Sequence, residues 1–390
     1  MKTKKNILLL AILILIAAVL QPLQIQAASD SGIPSAYSGK KVYDVTKCGA
    51  DKKGKKDSTK AFEKAITKAV NKGSDAIVFI PEGSYLLKSQ ITLNGNVTIV
   101  ANQKATIKSM ASVMGFWMIG SNITIEGGTW TGTKKFDQNL FKAQRSVNNI
   151  NMKNMKICDA GIGACFSPAT ATLSKVTVSN CVNRGVLLMN GAKVTLKSCT
   201  VKENGKGYYS ANKSGDCGHG IGVQNSKAII QKGYIGGNTQ CGISLVAGTL
   251  EMKDATVKKN GRNGIGTYKK CKITINGGAI KNNGYDMKET TQGYQGISAT
   301  AGTSVTVTDC SVSSNRCTGI YLADKGTTVK CKNVSLVKNE VAQIALGNGT
   351  NLTLENCTLK HSSVGVSKSG KVKITLKKTN KENGKKIKKL

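Results

Sequence analysis

Acidic residues, histidine and arginine are all scarce in this sequence. Asp and Glu together number 21 against 57 Lys and Arg, so the formal net charge is +36 at pH 7. A surface with this charge attracts and steers polyanions. Because many of the lysines alternate with apolar strand residues, solvation of an outer face explains them equally well. The 2 histidines and the few arginines can each be weighed as candidate functional residues.

The sequence also lacks a second long apolar run. The run at residues 7–20 follows three lysines and is too short for a comfortable membrane span, and Ala27 suits a signal peptidase. We interpret residues 1–27 as a secretory signal peptide, with an uncleaved anchor as the alternative. We therefore expect a monomeric extracellular chain, which could associate with a cell wall and has no transmembrane segment. Its expected partners are acidic polysaccharides or anionic cell-wall polymers, and not a specific nucleic acid.

A repeat of about 22 to 24 residues runs from about residue 155 onward. Each repeat has a Gly-Ile or similar dipeptide, an upstream asparagine in most cases, and short alternating runs of Val, Leu, Ile and Thr. Asparagine and glycine are expected at left-handed turn positions. The dipeptides are Gly161-Ile162, Gly185-Val186, Gly220-Ile221, Gly242-Ile243, Gly264-Ile265, Gly296-Ile297, Gly319-Ile320, Gln343-Ile344 and Gly365-Val366. The asparagines are Asn180, Asn204, Asn238, Asn260, Asn282, Asn315 and Asn339.

This period, with about three short strands per repeat, is the signature of a stacked solenoid. The best fit is an all-β fold, the right-handed parallel β-helix. We expect it over residues 116–378, with insertions at 205–219 and 284–295. The Lys-rich segment 379–390 is expected to be a disordered tail.

Residues 28–115 are expected to form an N-terminal cap and the first coils. An amphipathic pattern predicts a helix at about 58–72, capped by Asp57 or Ser58 and ended by Gly73. Such a helix would cover the open end of the first coil.

The same region carries Gly-Ala at 49–50, Asp-Ser-Thr at 57–59 and the strand segment FIPEGSY at 79–85. In these segments the chain resembles the pectate-lyase superfamily of β-helix proteins, which includes polysaccharide lyases, polygalacturonases, epimerases and inactive members. The resemblance implies a carbohydrate ligand without implying one reaction, because a fold does not fix a function.

The 12 cysteines are an even number, which in a secreted chain suggests disulfides. Cys199, Cys310 and Cys357 share one repeat position, an inward slot that a small apolar thiol fills well. Cys217 and Cys241 precede successive dipeptides and are the pair best placed for a bridge. No cysteine spacing matches a zinc site.

The two insertions lie at the same repeat position, between an asparagine and the next Gly-Ile dipeptide. Three coil steps separate them, so their roots are expected about 14 to 15 Å apart. We interpret the insertions as the rims of a trough, because long loops on a rigid scaffold often carry function. Decorative surface loops are the alternative.

Aromatic and basic side chains are concentrated in and around this trough. Tyrosine rings stack on sugars and offer a hydroxyl, and arginine pairs with carboxylates. Packing or solvation is the competing explanation for each residue. The candidate substrate-binding residues are Tyr208, Tyr209, Tyr268, Tyr285, Tyr294, Tyr321, Arg184 and Arg316.

His219 is the most specific candidate, within Gly-His-Gly at 218–220. The segment resembles the Gly-His-Gly of polygalacturonases, but the paired carboxylates of those enzymes are missing from the preceding repeats. A glycoside hydrolase needs two facing carboxylates. Here they would have to be Asp216 with Asp286 or Glu289.

β-Elimination of a uronate needs a neutralised carboxylate and a base for the neighbouring proton. The candidate catalytic residues are His219, Asp216, Lys213 and Arg262. Asp216, Asp286 and Glu289 could hold calcium, although three scattered acids are a weak pattern for it. No other cofactor is indicated, and an epimerase would use nearly the same residues.

The strand face between the insertions is small or neutral at Gly222, Ser244, Gly266, Ser298 and Ala345. That composition favours a non-catalytic glycan- or wall-binding solenoid. The paired insertions and a histidine close to an aspartate favour an enzyme. The sequence leaves both open, with a lyase or epimerase ahead of a hydrolase.

Overall fold

The computed structural model describes residues 32–206, 217–285, 294–361 and 363–389. The chain divides into two units, 1–40 and 41–390. The described part of the first contains the short 3-10 helix Ser35–Tyr37. No helix within the four described ranges is long and apolar enough to cross a membrane.

The second unit is a parallel β-solenoid of about 12 turns, as the repeat predicted. A typical coil has three strands, which we call first, second and third in chain order. The first and second strands belong to one 24-stranded sheet and the third strands to a 15-stranded sheet. Each strand pairs with its equivalent one coil away, and the described pairings are parallel except for the last hairpin.

The strand bounds follow this three-strand division. The first strands are Ile91–Leu93, Met114–Met118, Arg184–Leu188, His219–Gln224, Ile243–Val246, Ile265–Thr267, Ile297–Ala299, Thr318–Leu322, Ala342–Leu346 and Val364–Lys368. The second strands are Lys41–Asp44, Ala76–Ile80, Val97–Ala101, Ile123–Glu126, Lys193–Lys197, Lys227–Gln231, Thr249–Lys253, Lys272–Asn276, Ser304–Thr308, Thr328–Lys332, Asn351–Glu355 and Lys373–Lys377. Two long strands, Asn139–Lys153 and Ile162–Ser174, serve as first and second strands of their coils.

The third strands are shorter and line the opposite side of the core. They are Lys53–Asp57, Gly83–Leu87, Ala105–Ser109, Thr129–Thr131, Lys156–Cys158, Thr177–Ser179, Thr200–Lys202, Tyr234–Gly236, Thr256–Lys258, Ala279–Lys281, Ser311–Ser313, Ser335–Val337, Thr358–Lys360, Lys381–Glu382 and Lys385–Lys386. Period-two alternation in all three strand sets turns every second side chain inward.

The dipeptide repeat marks the interior of the first strands. From Val186 onward the second residue of each dipeptide pairs with its equivalent in the next coil. Ile221, Ile243 and Ile265 are completely buried. The dipeptide at 161–162 departs from this register, because Ile162 pairs with Arg184 and packs outside the main core.

The repeat asparagines form a buried ladder, which corrects the expectation of left-handed turn positions. Each Nδ2 donates to the side-chain oxygen of the next member at 2.7 to 2.9 Å. Among the predicted residues only Asn180 and Asn282 have a left-handed backbone, and both precede the ladder position. The ladder members are Asn204, Asn238, Asn260, Asn283, Asn315 and Asn339, followed by Gln343.

The predicted helix spans Thr59–Lys72 and buries an apolar face that includes Phe62 and Ile66. Asp57 caps it, because the Asp57 carboxylate accepts hydrogen bonds from the Thr59 N–H at 3.0 Å and hydroxyl at 2.6 Å. Burial by itself raises the pKa of Asp57. The hydrogen bonds to its carboxylate lower the pKa by more, so it lies below its ordinary value. The Ser58 hydroxyl instead accepts from the backbone N–H of Asp51.

The C-terminal segment is folded, contrary to the expectation of a disordered tail. Lys381–Glu382 and Lys385–Lys386 form an antiparallel hairpin, and the first of these strands continues the small sheet. Asn380 and Ile387 are buried. The hairpin therefore covers the last coil, as an end cap of a solenoid must.

All 12 cysteines are free thiols, so the Cys217–Cys241 bridge considered from sequence is absent. Cys199, Cys310 and Cys357 occupy the predicted inward slot and are at most 3% exposed. Burial raises the pKa of Cys310 to about 12. These thiols act as small apolar side chains of the core.

Candidate functional site

A strip of small, buried residues runs along the outer face of the first strands. Gly222 pairs in register with Ser244, Ser244 with Gly266, and Gly266 with Ser298. Each lies between two inward-facing residues, so the side chains of this strip point outward. Ser244 and Ser298 are nevertheless at most 8% exposed, which means that neighbouring atoms cover the strip.

Polar side chains fill the position two residues before the inward isoleucine in the same coils, which we call the pre-anchor column. Arg184 pairs with His219 across the sheet. The members of the pre-anchor column in successive coils are Arg184, His219, Cys241, Asn263 and Gln295. In the next coils the column continues with Thr318 and Ala342.

The pre-anchor side chains reach over the strip of small residues. A Cβ on Gly222 would lie 3.1 Å from Arg184 Cδ, and one on Gly266 would lie 3.3 Å from Cys241 Sγ. Larger residues at these two glycines would therefore displace the polar side chains. The small composition noted in the sequence makes room for a second layer of functional groups.

His219, Cys241 and Tyr268 form the centre of this layer. The Cys241 thiol is hydrogen-bonded to His219, and its Sγ lies 3.6 Å from the Tyr268 hydroxyl. His219 is 1% exposed and Cys241 is fully buried, whereas Tyr268 is 52% exposed. The tyrosine thus connects a buried histidine–thiol pair with the surface.

The charges around Cys241 favour its thiolate. Burial raises the pKa of this thiol, but the hydrogen bond and charge of His219, the Tyr268 hydroxyl and the Arg262 charge lower the pKa below its ordinary value. A lowered pKa sustained by specific partners in a polar cluster is typical of functional sites.

Arg184 and Arg262 flank this centre on neighbouring coils. Arg184 is 7% exposed and donates to Asn183 Oδ1 at 2.6 Å. The Arg262 guanidinium lies 5.4 Å from the centroid of the Tyr294 ring, within cation–π range. Both arginines therefore have fixed positions beside the histidine–thiol pair.

Other sequence candidates lie apart from this centre. Arg316 directly follows a ladder asparagine, so the three trough arginines occupy three different repeat positions. Tyr285 points to the third-strand side, where its hydroxyl donates to Glu340 at 2.8 Å and burial raises its pKa to about 12. Tyr321 lies on the outer strip, next to Ser298 in register.

Six candidates fall outside the described residues. They are Lys213, Asp216, Tyr208, Tyr209, Asp286 and Glu289. This set includes all three candidate calcium ligands. In the ranges that the structure describes, no cluster of His, Cys, Asp and Glu could hold a metal ion.

The roots of both insertions are described, and they lie three coil steps apart, as expected. Gly205 and Gly284 each follow a ladder asparagine, and the ladder takes three steps from Asn204 to Asn283. The insertions therefore leave the same corner of the solenoid and bracket the coils of His219 and Cys241.

Sequence reasoning missed Cys241, Asn263 and Gln295. Cys241 was considered only as a disulfide partner, although it occupies the same repeat position as His219. Aligning the coils on the inward isoleucine would have revealed one polar column.

Two family models match this chain. A model described as rhamnogalacturonase A/epimerase, pectate lyase-like, matches residues 42–277, more than half of the sequence. The chain belongs to this family. A model of the right-handed β-helix region also matches residues 219–383 of this pectate lyase-like chain. No curated protein matches it.

Solved structures with the same fold are distant in sequence. The Dettilon tailspike protein is 15% identical with a TM-score of 0.66, covering 84% of this chain and 68% of its own. The Azotobacter vinelandii mannuronan C-5 epimerase AlgE4 A-module is 14% identical, with a TM-score of 0.53 and coverage of 87% and 99%. The Streptococcus pneumoniae surface protein and adhesin PfbA is 15% identical, with a TM-score of 0.54 and coverage of 87% and 97%. At these identities the similarity is one of fold.

Proposed function

We propose that this pectate lyase-like chain is an extracellular protein that binds an acidic polysaccharide and acts on it as a lyase or epimerase. The observation that carries the proposal is the convergence of His219, Cys241 and Tyr268 with Arg262 on one outer face. The family match to rhamnogalacturonase A/epimerase supports a carbohydrate substrate. The net charge of +36 supports an acidic one.

The burial of this cluster argues against a purely structural role. The equivalent positions in later coils are Thr318 and Ala342, so the fold does not require ionisable groups there. Burying polar and ionisable groups costs free energy unless their partners compensate. Local features that oppose stability are expected at functional sites.

The cluster offers the groups that elimination beside a carboxylate requires. The C–H bond next to the carboxylate breaks, its electron pair forms a C=C bond, and the C–O bond to the leaving glycosidic oxygen breaks. Arg184 and Arg262 would neutralise the substrate carboxylate. Tyr268, as its phenolate, would take the proton from the carbon and then, as the phenol, give it to the leaving oxygen, with His219 and Cys241 behind it tuning its acidity.

An epimerase would break the same C–H bond, leave its electron pair on a carbanion that the carboxylate stabilises, and add a proton to the opposite face of the carbon, without cleaving the glycosidic bond. Lys213 and Asp216 remain candidates for the second proton transfer in this proposal. Calcium held by Asp216, Asp286 and Glu289 would assist in neutralising the carboxylate.

The test compares Tyr268→Phe and His219→Gln with the unaltered chain on polygalacturonate, polymannuronate and a neutral glucan, with and without calcium. Absorbance of unsaturated uronate reports a lyase, proton exchange from solvent reports an epimerase, and new reducing ends alone report a hydrolase. We expect one of the first two signals on an acidic glycan, and a loss of about 10²-fold or more in either variant.

Tyr234→Phe is the matched control, since Tyr234 lies on the third-strand sheet and interacts with Lys258. It should leave the rate unchanged. Equal rates for Tyr268→Phe and the unaltered chain would remove this tyrosine from the mechanism.

A non-catalytic glycan-binding solenoid is the second candidate. It is favoured by the near-complete burial of His219 and Cys241 and by the small, neutral strip beneath them. This candidate predicts binding to polygalacturonate without any of the three signals, and an affinity that falls with salt. A hydrolase is less favoured, because no described residue of the strip or pre-anchor column from Arg184 to Ala345 is acidic.

A further inference from the structure

We infer that Trp117, Lys142 and Arg145 form a subsite for an anionic sugar at the N-terminal end of the same outer face. The inference rests on the proposed function, because it assigns a place to a distal unit of the polysaccharide. It adds three residues that lie outside the trough between the insertions.

The subsite is collinear with the proposed centre. Trp117 pairs with Lys142, and Lys142 with Cys165, in the outward positions that continue through Leu187 to Gly222. Five coil steps lead from Trp117 to Ser244, which is about 24 Å at the strand spacing. A linear polymer lying along the solenoid axis would therefore contact both places.

Local contacts hold the tryptophan and the arginine in fixed orientations. The Trp117 indole N–H donates to Gln144 Oε1 at 2.9 Å. The Arg145 guanidinium lies 5.4 Å from the centroid of the Trp117 ring. A guanidinium held over an aromatic ring loses little conformational freedom when it binds an anion.

The backbone at Arg145 departs from regular sheet geometry. Arg145 and Ser146 have φ values of 66° and 56°, and the pairing register shifts between Gln144 and Val147. Left-handed conformations of non-glycine residues cost of order 1–3 kcal/mol each and cluster at functional sites. Here the irregularity lifts an arginine out of the strand alternation and places it over the tryptophan.

Within the described ranges, the positive charges of the subsite are not engaged in ion pairs. No carboxylate among the described residues forms an ion pair with Lys142 or Arg145. Burial raises the pKa of the Cys165 thiol to about 11, although the charges of Lys142 and Arg184 lower it. Lys142 pairs in register with Cys165, and the same strand pairs at Ile162 with Arg184, so Lys142 lies between the subsite and Arg184.

This combination selects one class of ligand. Lys142 and Arg145 both adjoin Trp117 and suit a carboxylate, and the indole ring offers an apolar contact to a sugar. A neutral glycan would gain the ring contact alone. A uronate unit uses every group of the subsite.

The experiment measures the affinity of Lys142→Gln and Arg145→Gln for a galacturonate trimer and a galacturonate decamer by calorimetry. Because the trimer is too short to span from the centre to the subsite, its affinity should be unchanged. The decamer should bind about tenfold more weakly to each variant, which corresponds to about 1.4 kcal/mol. Lys272→Gln is the matched control, since Lys272 is an exposed lysine on the second-strand face.

Equal weakening by Lys272→Gln would mean that only overall charge matters and would overturn the inference. Equal weakening for trimer and decamer would also overturn it, because the subsite would then not be distal. Turnover and binding are measured separately. A chain without lyase or epimerase activity that still shows the length-dependent loss would refute the proposed chemistry and retain the subsite.

Discussion

Replacing Asn260 by alanine removes one step of the buried asparagine ladder. The Asn260 Oδ1 accepts hydrogen bonds from the Asn238 backbone N–H at 3.2 Å and from Asn238 Nδ2 at 2.8 Å. The Asn260 Nδ2 donates to Asn283 Oδ1 at 2.9 Å and to the Ile235 carbonyl at 3.4 Å. Asn260 is 1% exposed, so water cannot replace these partners without entering the core.

The expected loss of stability follows from these four bonds. A buried hydrogen bond contributes about 1 kcal/mol net, so Asn260→Ala should cost about 4 kcal/mol. The Asn238 Nδ2 and Asn283 Oδ1 atoms keep other partners, at Val201 O and Asn260 N–H. The Asn238 backbone N–H keeps none, and an unsatisfied buried donor adds about 1–3 kcal/mol.

Asn282→Gly is the matched control, since Asn282 lies immediately before a ladder residue and has a left-handed φ of 55° that glycine adopts freely. We would measure the free energy of unfolding in urea, with native-state hydrogen exchange to detect opening confined to neighbouring coils. A loss for Asn260→Ala within about 1 kcal/mol of the control would refute the ladder as a source of stability.

Three further predictions concern the thiols and the C-terminal end. Burial raises the pKa of Cys165 to about 11 and of Cys181 to about 12, above the ordinary 9.0. The contribution of these thiols to stability is therefore complete below pH 9 and is lost as pH rises through 11 to 12. Urea midpoints of unfolding should fall across this pH range, and constant midpoints would contradict the prediction. In the folded chain, a bulky thiol reagent should label only the half-exposed Cys48 and Cys317. After denaturation without reductant it should label all 12 thiols, and a smaller number of labelled thiols would reveal a disulfide. Deleting residues 381–390 should expose the edge of Thr358–Lys360 and promote aggregation, measured by light scattering; unchanged scattering would mean that the hairpin is dispensable.

The sequence was sufficient to predict the fold because its dominant signal is periodic. Alternating apolar residues define strands, and a fixed period forces equivalent residues into register one coil apart. Five of the seven asparagines singled out from the sequence are ladder members, but their role was predicted wrongly, and Asn180 and Asn282 lie one residue before the ladder position. A buried, amide-bonded asparagine and a left-handed turn asparagine share one residue type, so only the structure separates Asn260 from Asn282.

The C-terminal segment shows why composition can mislead. Its lysines predicted disorder, yet Asn380 accepts a hydrogen bond from the Cys357 backbone N–H at 2.8 Å and takes, in the last coil, the inward position that Cys357 fills one coil earlier. Buried Asn380 and Ile387, together with the contact between His361 and Glu382, hold the lysine-rich hairpin on the last coil. The number of charged residues in a segment does not reveal whether a few of its other residues are buried.

The site was predicted in part, through His219, Tyr268 and the arginines. Cys241 was missed because its chemistry depends on the neighbouring coil. The residues that lower its pKa lie in the two coils on either side of it, His219 in one and Arg262 and Tyr268 in the other. Trp117 and Arg145 were missed because a backbone irregularity, which no periodic pattern predicts, brings them together.

The distribution of polar residues along the solenoid localises the proposed function. The interior position of the first strands stays apolar from Val186 to Val366, because every coil must close the same core. The pre-anchor column begins with the apolar Ile162, holds polar residues in the coils that follow, and is apolar again at Ala342. The coil fold therefore does not dictate which residue types occupy it. The polar members from His219 to Gln295 coincide with the coils that the two insertions bracket. Burying polar groups costs free energy unless their partners compensate, so these coils are where the proposed function places its ligand.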